Sequence, residues 1–498
     1  METKRKLSFI LVTVTLLFWN IGLVKADPVS FEVAQVVAEK WMERVGEQKD
    51  VIEGIVLQND GENIGYLFNF SGRGFVVVPS DDFFSPIKAW SREGNFLGVS
   101  QAMDMQTLVK KDLRQQRLVV KNYQSLVVAS NVNTPPAHKG WEKILGFIVE
   151  EKSSQTKNSG EEAQIIGPLI VTKWGQREPF NDYCPLDINT GEFSVTGCTA
   201  TAIAQILRYW KWPEEGLVDS KCYYNTYYSD LMCGSNQDVC AISGHNYDWS
   251  SMVNDYSWNY TQEEGNAVAR LMADVGILAE LCYSTDATYG GGGRLVKNLP
   301  LYYGFSDEIE SVCKTWVEFF PTVKGQLDKK YPVYLASDGH AYVADGYRLD
   351  LGMDQLHFNF GWNGYYDGWF TFDGQDILWN GNPAVSGEGQ YVTMIINIHP
   401  KEDPPKLNFP PDAPVLSVNI NGLNLSCSWT QVSGVSGYFL SYAPSPYTGP
   451  ESIVTVDMGT QNMVLTSLWS GASFFVAIQA YNQFGGSEYS NIEWFEIK

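Results

Sequence analysis

The spacing of apolar residues changes several times along the chain, and each change marks a segment. Lys4, Arg5 and Lys6 precede an apolar stretch from Leu7 to Trp19, after which Val24 and Ala26 supply small residues at the −3 and −1 positions of an export-signal cleavage site. The stretch is nearer thirteen residues than the roughly twenty a membrane span needs, so cleavage after Ala26 is expected rather than anchoring. Helical periodicity then runs from Phe31 to Met42. Strand-like runs follow at Val51 to Leu57, Tyr66 to Phe70 and Gly74 to Val78, which predicts a small α+β domain. Residues 150–162, EEKSSQTKNSGEE, have no periodicity and many charges; an exposed linker open to proteolytic activation is expected there.

Residues 166–399 are rich in Trp, Tyr and Gly and form the next block. It ends at KEDPPKLNFPPDAP, residues 401–414, whose clustered prolines make a stiff connector. Beyond it, short alternating segments at Val415 to Val418, Leu423 to Trp429, Gly437 to Ala443, Ser452 to Val456, Asn462 to Leu465 and Phe474 to Tyr481 predict a β-sandwich. Trp429 and Tyr481 resemble the core landmarks of fibronectin type III domains.

Composition sharpens this picture. At 498 residues with 44% hydrophobic, 14% aromatic and 18% charged residues, the chain is long and apolar enough for about three folded domains. A formal net charge of −22 excludes nucleic acid or anionic membrane as partners held by a general basic field. None of the eight cysteines forms a C-x-x-C pair, so no zinc ribbon or thioredoxin-like site is expected. Cys222, Cys233 and Cys240 lie close enough to include one bridge, with buried free thiols as the alternative; if Cys198 is a free nucleophile, at least one more of the remaining seven is also unpaired.

The sharpest chemical signal is the run Thr196-Gly197-Cys198 leading into Ile203, Ile206, Leu207 and Trp210, which fall at i, i+3, i+4 and i+7 on one buried helix face. Cys198 therefore opens a helix, where unpaired N–H groups and the dipole favour a thiolate. Of five histidines, His138 precedes the activation linker, His399 abuts a boundary, and His245 lies in a loop, SGHNYDW, suited to stabilising a turn. His340 lies in the segment Ser337 to Tyr347, which begins as a turn and continues as a strand, and that strand pairs, through a short loop containing Gly352, with the strand from Gln355 to Trp362. This hairpin is expected to bring Asn359 beside His340, so that its amide oxygen orients the imidazole toward Cys198; His357, on the same face as Asn359, is the alternative base. Gln176, upstream of the nucleophile, is the candidate oxyanion donor beside the Cys198 backbone N–H.

The pieces PLIVTKWGQREPFN, TGCTATAIAQILRYWKWP, YDWSSM, AVARLMADVG, DGHAYVADGY and FNFGWNGYYDGWF, in this order through residues 166–375, resemble the streptopain family of bacterial cysteine peptidases, and GFVVVPSDDFFSPIKAW resembles that family's propeptide. The resemblance implies an α+β chain: signal peptide 1–26, inhibitory propeptide 27–162, papain-like catalytic domain 163–400, linker 401–414 and immunoglobulin/fibronectin-like sandwich 415–498. It implies an exported zymogen that cleaves itself and then cuts proteins internally, preferring an apolar residue two positions before the cut. By position, Cys198 matches the nucleophile, His340 the base, Gln176 the oxyanion donor and Asn359 the residue that orients the histidine; Trp362 matches a tryptophan at the same strand end. The family pattern Asn-Trp-Gly-Trp reads Asn359-Phe360-Gly361-Trp362 here, with Phe360 expected to pack over the Asn–His pair.

No cofactor is expected. The expected partners are protein and peptide substrates, the chain's own propeptide as intramolecular inhibitor, and a surface or host protein through the C-terminal sandwich; no nucleic acid and no stable membrane insertion are expected. Gly290 to Gly293 lack the Lys-Ser/Thr ending of a phosphate-binding loop and read as a mobile loop near the cleft, and neither H-E-x-x-H nor G-x-S-x-G occurs. Sequons at Asn69, Asn259 and Asn424 matter only in a glycosylating host. Two rival readings share these residues: a binding protein on a protease scaffold, and a Cys-His-Asn acyltransferase or amidohydrolase.

Overall fold

The computed structural model describes residues 27–121, 137–150, 163–371, 378–383, 392–401 and 411–497, with short gaps and one longer one at 97–108. The export signal, most of the activation linker and most of the proline-rich connector lie outside the described residues.

The N-terminal region pairs a helix with a sheet. Helix α1 (Phe31–Arg44) starts at Ser30, whose side chain accepts from the Val33 N–H, and it buries Ala34, Val37, Ala38, Trp41 and Met42. Strands β1 (Val51–Asn59), β2 (Glu62–Phe70), β3 (Phe75–Pro79) and β4 (Ala89–Ser91) form an antiparallel meander, and helix α2 (Lys139–Glu150) packs beside α1. This sheet does not stop at the region's border. Strand β4 pairs with β12 (Gly368–Thr371), Trp90 opposite Trp369 and Ala89 opposite Phe370, so the order runs β1-β2-β3-β4-β12-β11-β10-β9-β13-β8.

The strands that complete this sheet are β8 (Glu310–Lys314), β9 (Val333–Ser337), β10 (His340–Asp350), β11 (Met353–Asn359) and β13 (Val392–Ile396), with β5 (Gln164–Ile166) on β10. Two helices, α3 (Cys198–Trp210) and α4 (Gln262–Ala279), pack together and share a core with Ala341 and Val343 of β10. Helix α3 is mostly apolar and almost wholly buried, as suits a central helix, and its polar Thr199, Thr201 and Gln205 are buried with it. The α4 helix opens with a capping box between Thr261 and Glu264. On the sheet's other face a second core joins Phe75, Val77 and Phe96 of the N-terminal region to Tyr342, Phe358, Phe360 and Phe370, so one core spans both regions.

A hairpin of β6 (Cys222–Tyr228) and β7 (Leu231–Cys240) carries the disulfide Cys222–Cys240, and Cys233 bonds Cys282. The short-range bridge was one of the two alternatives in the sequence, and Cys184, Cys198, Cys313 and Cys427 take part in no disulfide. Glycines 290–293 lead into helix α5 (Gly293–Tyr303) rather than a phosphate loop. A Cβ on Gly292 would meet Ile395 and Tyr334 at under 3.0 Å, so close packing explains the glycine there.

The C-terminal region is all β. Strands β14 (Leu416–Asn421), β15 (Asn424–Trp429) and β18 (Met463–Ser467) make one sheet; β16 (Gly437–Pro444), β17 (Val454–Asp457), β19 (Ser473–Asn482), β20 (Gly485–Tyr489) and β21 (Glu493–Glu496) make the other. Their inward residues share a core around Trp429, Tyr438, Ile478 and Phe495. The last two strands carry only weak alternation and are absent from the sequence expectation.

Candidate active site

The site forms where α3, the 172–176 segment and the β10–β11 hairpin meet. Gly197, at φ +85°, precedes the helix, and a Cβ there would also press on Thr288 at 3.0 Å. Cys198 is thus the first helical residue, half-buried, with first-turn N–H groups gathered around it. Thr288 donates to the Val195 carbonyl at 2.6 Å and Thr199 donates to the Gly290 carbonyl at 2.7 Å, which ties residues 288–290 to the start of α3 beside Cys198.

Gln176 is brought to the same place by backbone pairing. The Thr196 N–H donates to the Gln176 carbonyl at 3.1 Å, and the Thr201 hydroxyl donates to the Gly175 and Gly197 carbonyls, each at 3.2 Å. Gln176 thereby sits beside the strand entry to α3, half-buried.

His340 is the first residue of β10, buried among aromatic rings. Its ring stacks on Trp362 at 4.1 Å between centroids and lies near-parallel to Tyr342 and Phe360 at 6.1 and 6.3 Å. Nε2 lies 2.9 Å from the Phe360 carbonyl. A carbonyl can only accept, so Nε2 carries the proton and Nδ1 is left with the lone pair. Burial pushes the imidazole down to about 4, against the smaller opposing effect of the Phe360 carbonyl, so the ring is neutral.

Asn359 is close by but does not orient the ring directly. The hairpin register places Asn359 opposite Val343, while His340 pairs with Ser337 of β9. A register shift between Ala344 and Gly346 moves the rungs from those a plain hairpin count suggests. The Asn359 amide oxygen instead accepts from Gln205 at 2.8 Å and from the Gly361 N–H at 3.0 Å, and its nitrogen donates to the Thr172 carbonyl at 2.8 Å. The group facing the imidazole is the backbone carbonyl of Phe360. Sequence reasoning missed it because any residue supplies a carbonyl.

His357 faces another partner: Nδ1 lies 2.6 Å from Asp345, whose side chain is buried and also accepts from the Ile170 N–H. His245 likewise lies 3.0 Å from the buried Asp274 of α4. Asp367 accepts from the Phe360 N–H at 2.8 Å; burial raises its carboxyl to about 7, with this hydrogen bond and His357 acting the other way. An aromatic chain runs outward from the imidazole through Trp362 and Tyr366 to Phe96 and Phe75 of the N-terminal region. Among the described residues, no group of three or more His, Cys, Asp or Glu side chains is arranged to hold a metal.

Residues 174–370 match the family model described as the Peptidase C10 family, and residues 26–116 match that described as Spi protease inhibitor. Streptopain of Streptococcus pyogenes is 25% identical over 362 residues, covering 68% of this chain and 81% of its own. The thiol protease/hemagglutinin PrtT of Porphyromonas gingivalis is 27% identical over 354 residues, 68% of this chain and 37% of its own. Among solved structures, the prointerpain A fragment of Prevotella intermedia aligns with 23% identity and a TM-score of 0.49, covering 71% of this chain and all of that one.

Proposed function

Because the chain belongs to the Peptidase C10 family and is a cysteine peptidase with an inhibitor-type domain ahead of its catalytic region, we propose that it is a secreted endopeptidase made as a self-processing zymogen. Cys198 is the nucleophile, His340 the base, and Gln176 with the Cys198 N–H the oxyanion donors, on a papain-like scaffold. The observation that carries this reading is the His340 tautomer. With Nε2–H committed to the Phe360 carbonyl, the basic Nδ1 remains for the thiol of the helix packed against the same strand.

The thiol proton passes to Nδ1, and the thiolate attacks the peptide carbonyl carbon while Gln176 and the backbone N–H hold the oxyanion. As the C–N bond breaks, the imidazolium returns its proton to the leaving amine. His340 then takes a proton from water, which attacks the thioester and frees the acid product and the thiol. The imidazolium retains its bond to the Phe360 carbonyl throughout.

Residues 27–162 act as the inhibitor. Through Phe96 they close the aromatic cage around Tyr366, Trp362 and His340, and that burial disfavours the charged imidazolium. Cleavage in 150–162 releases them. Two disulfides suit an oxidising compartment, and no helix among the described residues is long and apolar enough to cross a membrane. An apolar residue two positions before the cut is the expected preference. The C-terminal sandwich is of fibronectin type III kind, with Trp429 edge-on to Tyr438 in its core, and serves contact with a surface or host protein.

Purified precursor incubated with a thiol reductant tests the reading. Self-cleavage near residues 150–165 and casein hydrolysis, both abolished by iodoacetamide and by Cys198→Ser, are expected. Normal processing of the purified Cys198→Ser precursor would overturn self-activation, and casein hydrolysis insensitive to iodoacetamide would overturn the nucleophile.

A further inference from the structure

Gln205 is a wholly buried polar residue on α3, seven positions after Cys198 and so on the same face two turns on. A buried amide has several hydrogen-bonding positions to satisfy, and this one, carried by α3, spends them on the other two segments that build the site. Its oxygen accepts from the Thr172 hydroxyl at 2.8 Å and, more distantly, from the Trp174 N–H at 3.5 Å; its nitrogen donates to the Asn359 oxygen at 2.8 Å.

The orientation of both amides follows from the donors around them. The Gly361 N–H can only donate, so the atom of Asn359 that it meets is the oxygen, and Gln205 must present its NH₂ there. Asn359 closes the ring by donating to the Thr172 carbonyl.

The Gly361 N–H belongs to the same rigid peptide plane as the Phe360 carbonyl, the acceptor of His340 Nε2. Fixing one end of that plane fixes the other. Gly361 permits this closeness, since it holds φ +68° and a Cβ would meet Thr201 of α3 at 2.9 Å. Past Trp174 the same segment continues to Gln176. One side chain thus links the nucleophile's helix, the approach to the oxyanion donor and the carbonyl that orients the base.

Resting on the Cys198–His340 reading above, we infer that Gln205 is a positioning residue of the peptidase reaction, which acts through Asn359 and the Phe360–Gly361 peptide to hold His340 in the tautomer that serves Cys198. A glutamine that merely satisfies buried partners would affect folding alone. A positioning glutamine also sets the pH dependence of the thiolate–imidazole pair and kcat, with KM little changed.

The test compares mature wild-type enzyme with Gln205→Glu, which keeps shape and acceptor but sets a carboxylate oxygen against the Asn359 oxygen. The readings are kcat, KM and the pH profile of Cys198 alkylation by iodoacetamide, which needs no substrate. A fall in kcat of about 10- to 100-fold at near-constant KM, with a displaced alkylation profile, is expected. Should Gln205→Glu not fold, Thr172→Val and Thr172→Ser decide. Loss of the hydroxyl is expected to displace the alkylation profile in the same direction by less, and serine to restore it. A folded Gln205→Glu with wild-type kcat and profile overturns the inference while the Cys–His reading stands, and so does wild-type behaviour of both Thr172 variants. A wild-type enzyme whose casein hydrolysis resists iodoacetamide overturns both.

Discussion

The two ends of the β10–β11 hairpin are held by opposite kinds of chemistry. At the turn end, Asp350 accepts a bidentate pair of hydrogen bonds from Arg44 of the N-terminal region, at 2.6 and 3.0 Å, and is also paired with Arg348. The Arg348 guanidinium lies over Trp41 and Trp90, and Trp90 stacks on Trp369. At the other end, His340, Asn359 and Gln205 are neutral, and the two amides meet only donors and acceptors that match them. Ions regain more hydration than neutral amides when an interface opens, so a seam of charge parts more readily than a buried seam of matched amides. The hairpin thereby joins the N-terminal region, through charge, to the candidate site, which is built from neutral groups.

Breaking the charged end gives the largest effect. Burial alone would raise the Asp350 carboxyl, yet Arg44 and Arg348 hold it below the ordinary carboxylate range. Asp350→Ala removes the carboxylate that the buried Arg348 and the part-buried Arg44 share, and a loss of about 3–5 kcal/mol is expected in urea melts of the Cys198→Ser precursor at pH 7. The contribution of this carboxylate is present above its unfolded value near 4 and lost as pH falls through its lower folded value. An unchanged melt would mean that Arg348 and Arg44 find other partners and that the seam is not charge-held.

Phe96 probes the link between the two ends. It is fully buried against Phe75 and Tyr366, and Phe96→Ala is expected to cost about 3–4 kcal/mol in the same precursor. In the active chain it is expected also to speed self-cleavage, because the cage over His340 loses its outer ring. Destabilisation with unaltered processing would confine Phe96 to packing.

The neutral end has its own signature in acid. His340, held at about 4 against an ordinary 6.5, favours the unfolded chain as pH falls through that window, since only the unfolded chain takes up the proton. Its full weight is about 3 kcal/mol. Asp367, raised to about 7, has the opposite sign: the folded chain holds the proton, so stability falls as pH rises from about 4 to 7, by a similar amount. The two largely cancel between pH 4.5 and 6.5. Asp367→Asn in the Cys198→Ser precursor is expected to uncover the His340 slope, losing about 2–3 kcal/mol relative to its parent on acidification across that range. Parallel profiles for variant and parent would show that Asp367 is ionised in the fold.

Much of this was legible in the sequence, and the failures have physical causes. The apolar face of 203–210 announced a helix opened by Cys198, and the observed α3 begins there. The hairpin was legible from alternation and Gly352, but alternation fixes a face, not a rung, and the shift between Ala344 and Gly346 put Asn359 opposite Val343. Cys222–Cys240 lay within reach of a local reading; Cys233–Cys282, 49 residues apart, did not. The pairing of Trp90 with Trp369 is beyond any local pattern, which is why the single sheet through both regions was not foreseen. Gln205 left a weaker signal: it is a polar residue seven positions after Cys198 in a mostly apolar helix, a trait that Thr199, Thr201 and Arg208 share.

The smallest effect separates backbone from side chain at the neutral end. Phe360 is buried among Tyr342, Phe358, Trp362 and Phe370, and it stands where the related pattern has tryptophan. Its ring is 6.3 Å from His340, whereas its carbonyl is the direct partner at 2.9 Å. Phe360→Leu keeps the carbonyl and, through Asp367 and Asn359, both neighbouring N–H anchors. A stability loss of about 1 kcal/mol is expected, with kcat within about twofold of wild type, because the acceptor of the imidazole proton has not moved. A kcat loss as large as that of Gln205→Glu would instead assign the orientation of His340 to the ring, and the exchange of Trp for Phe at this position would then bear on catalysis itself.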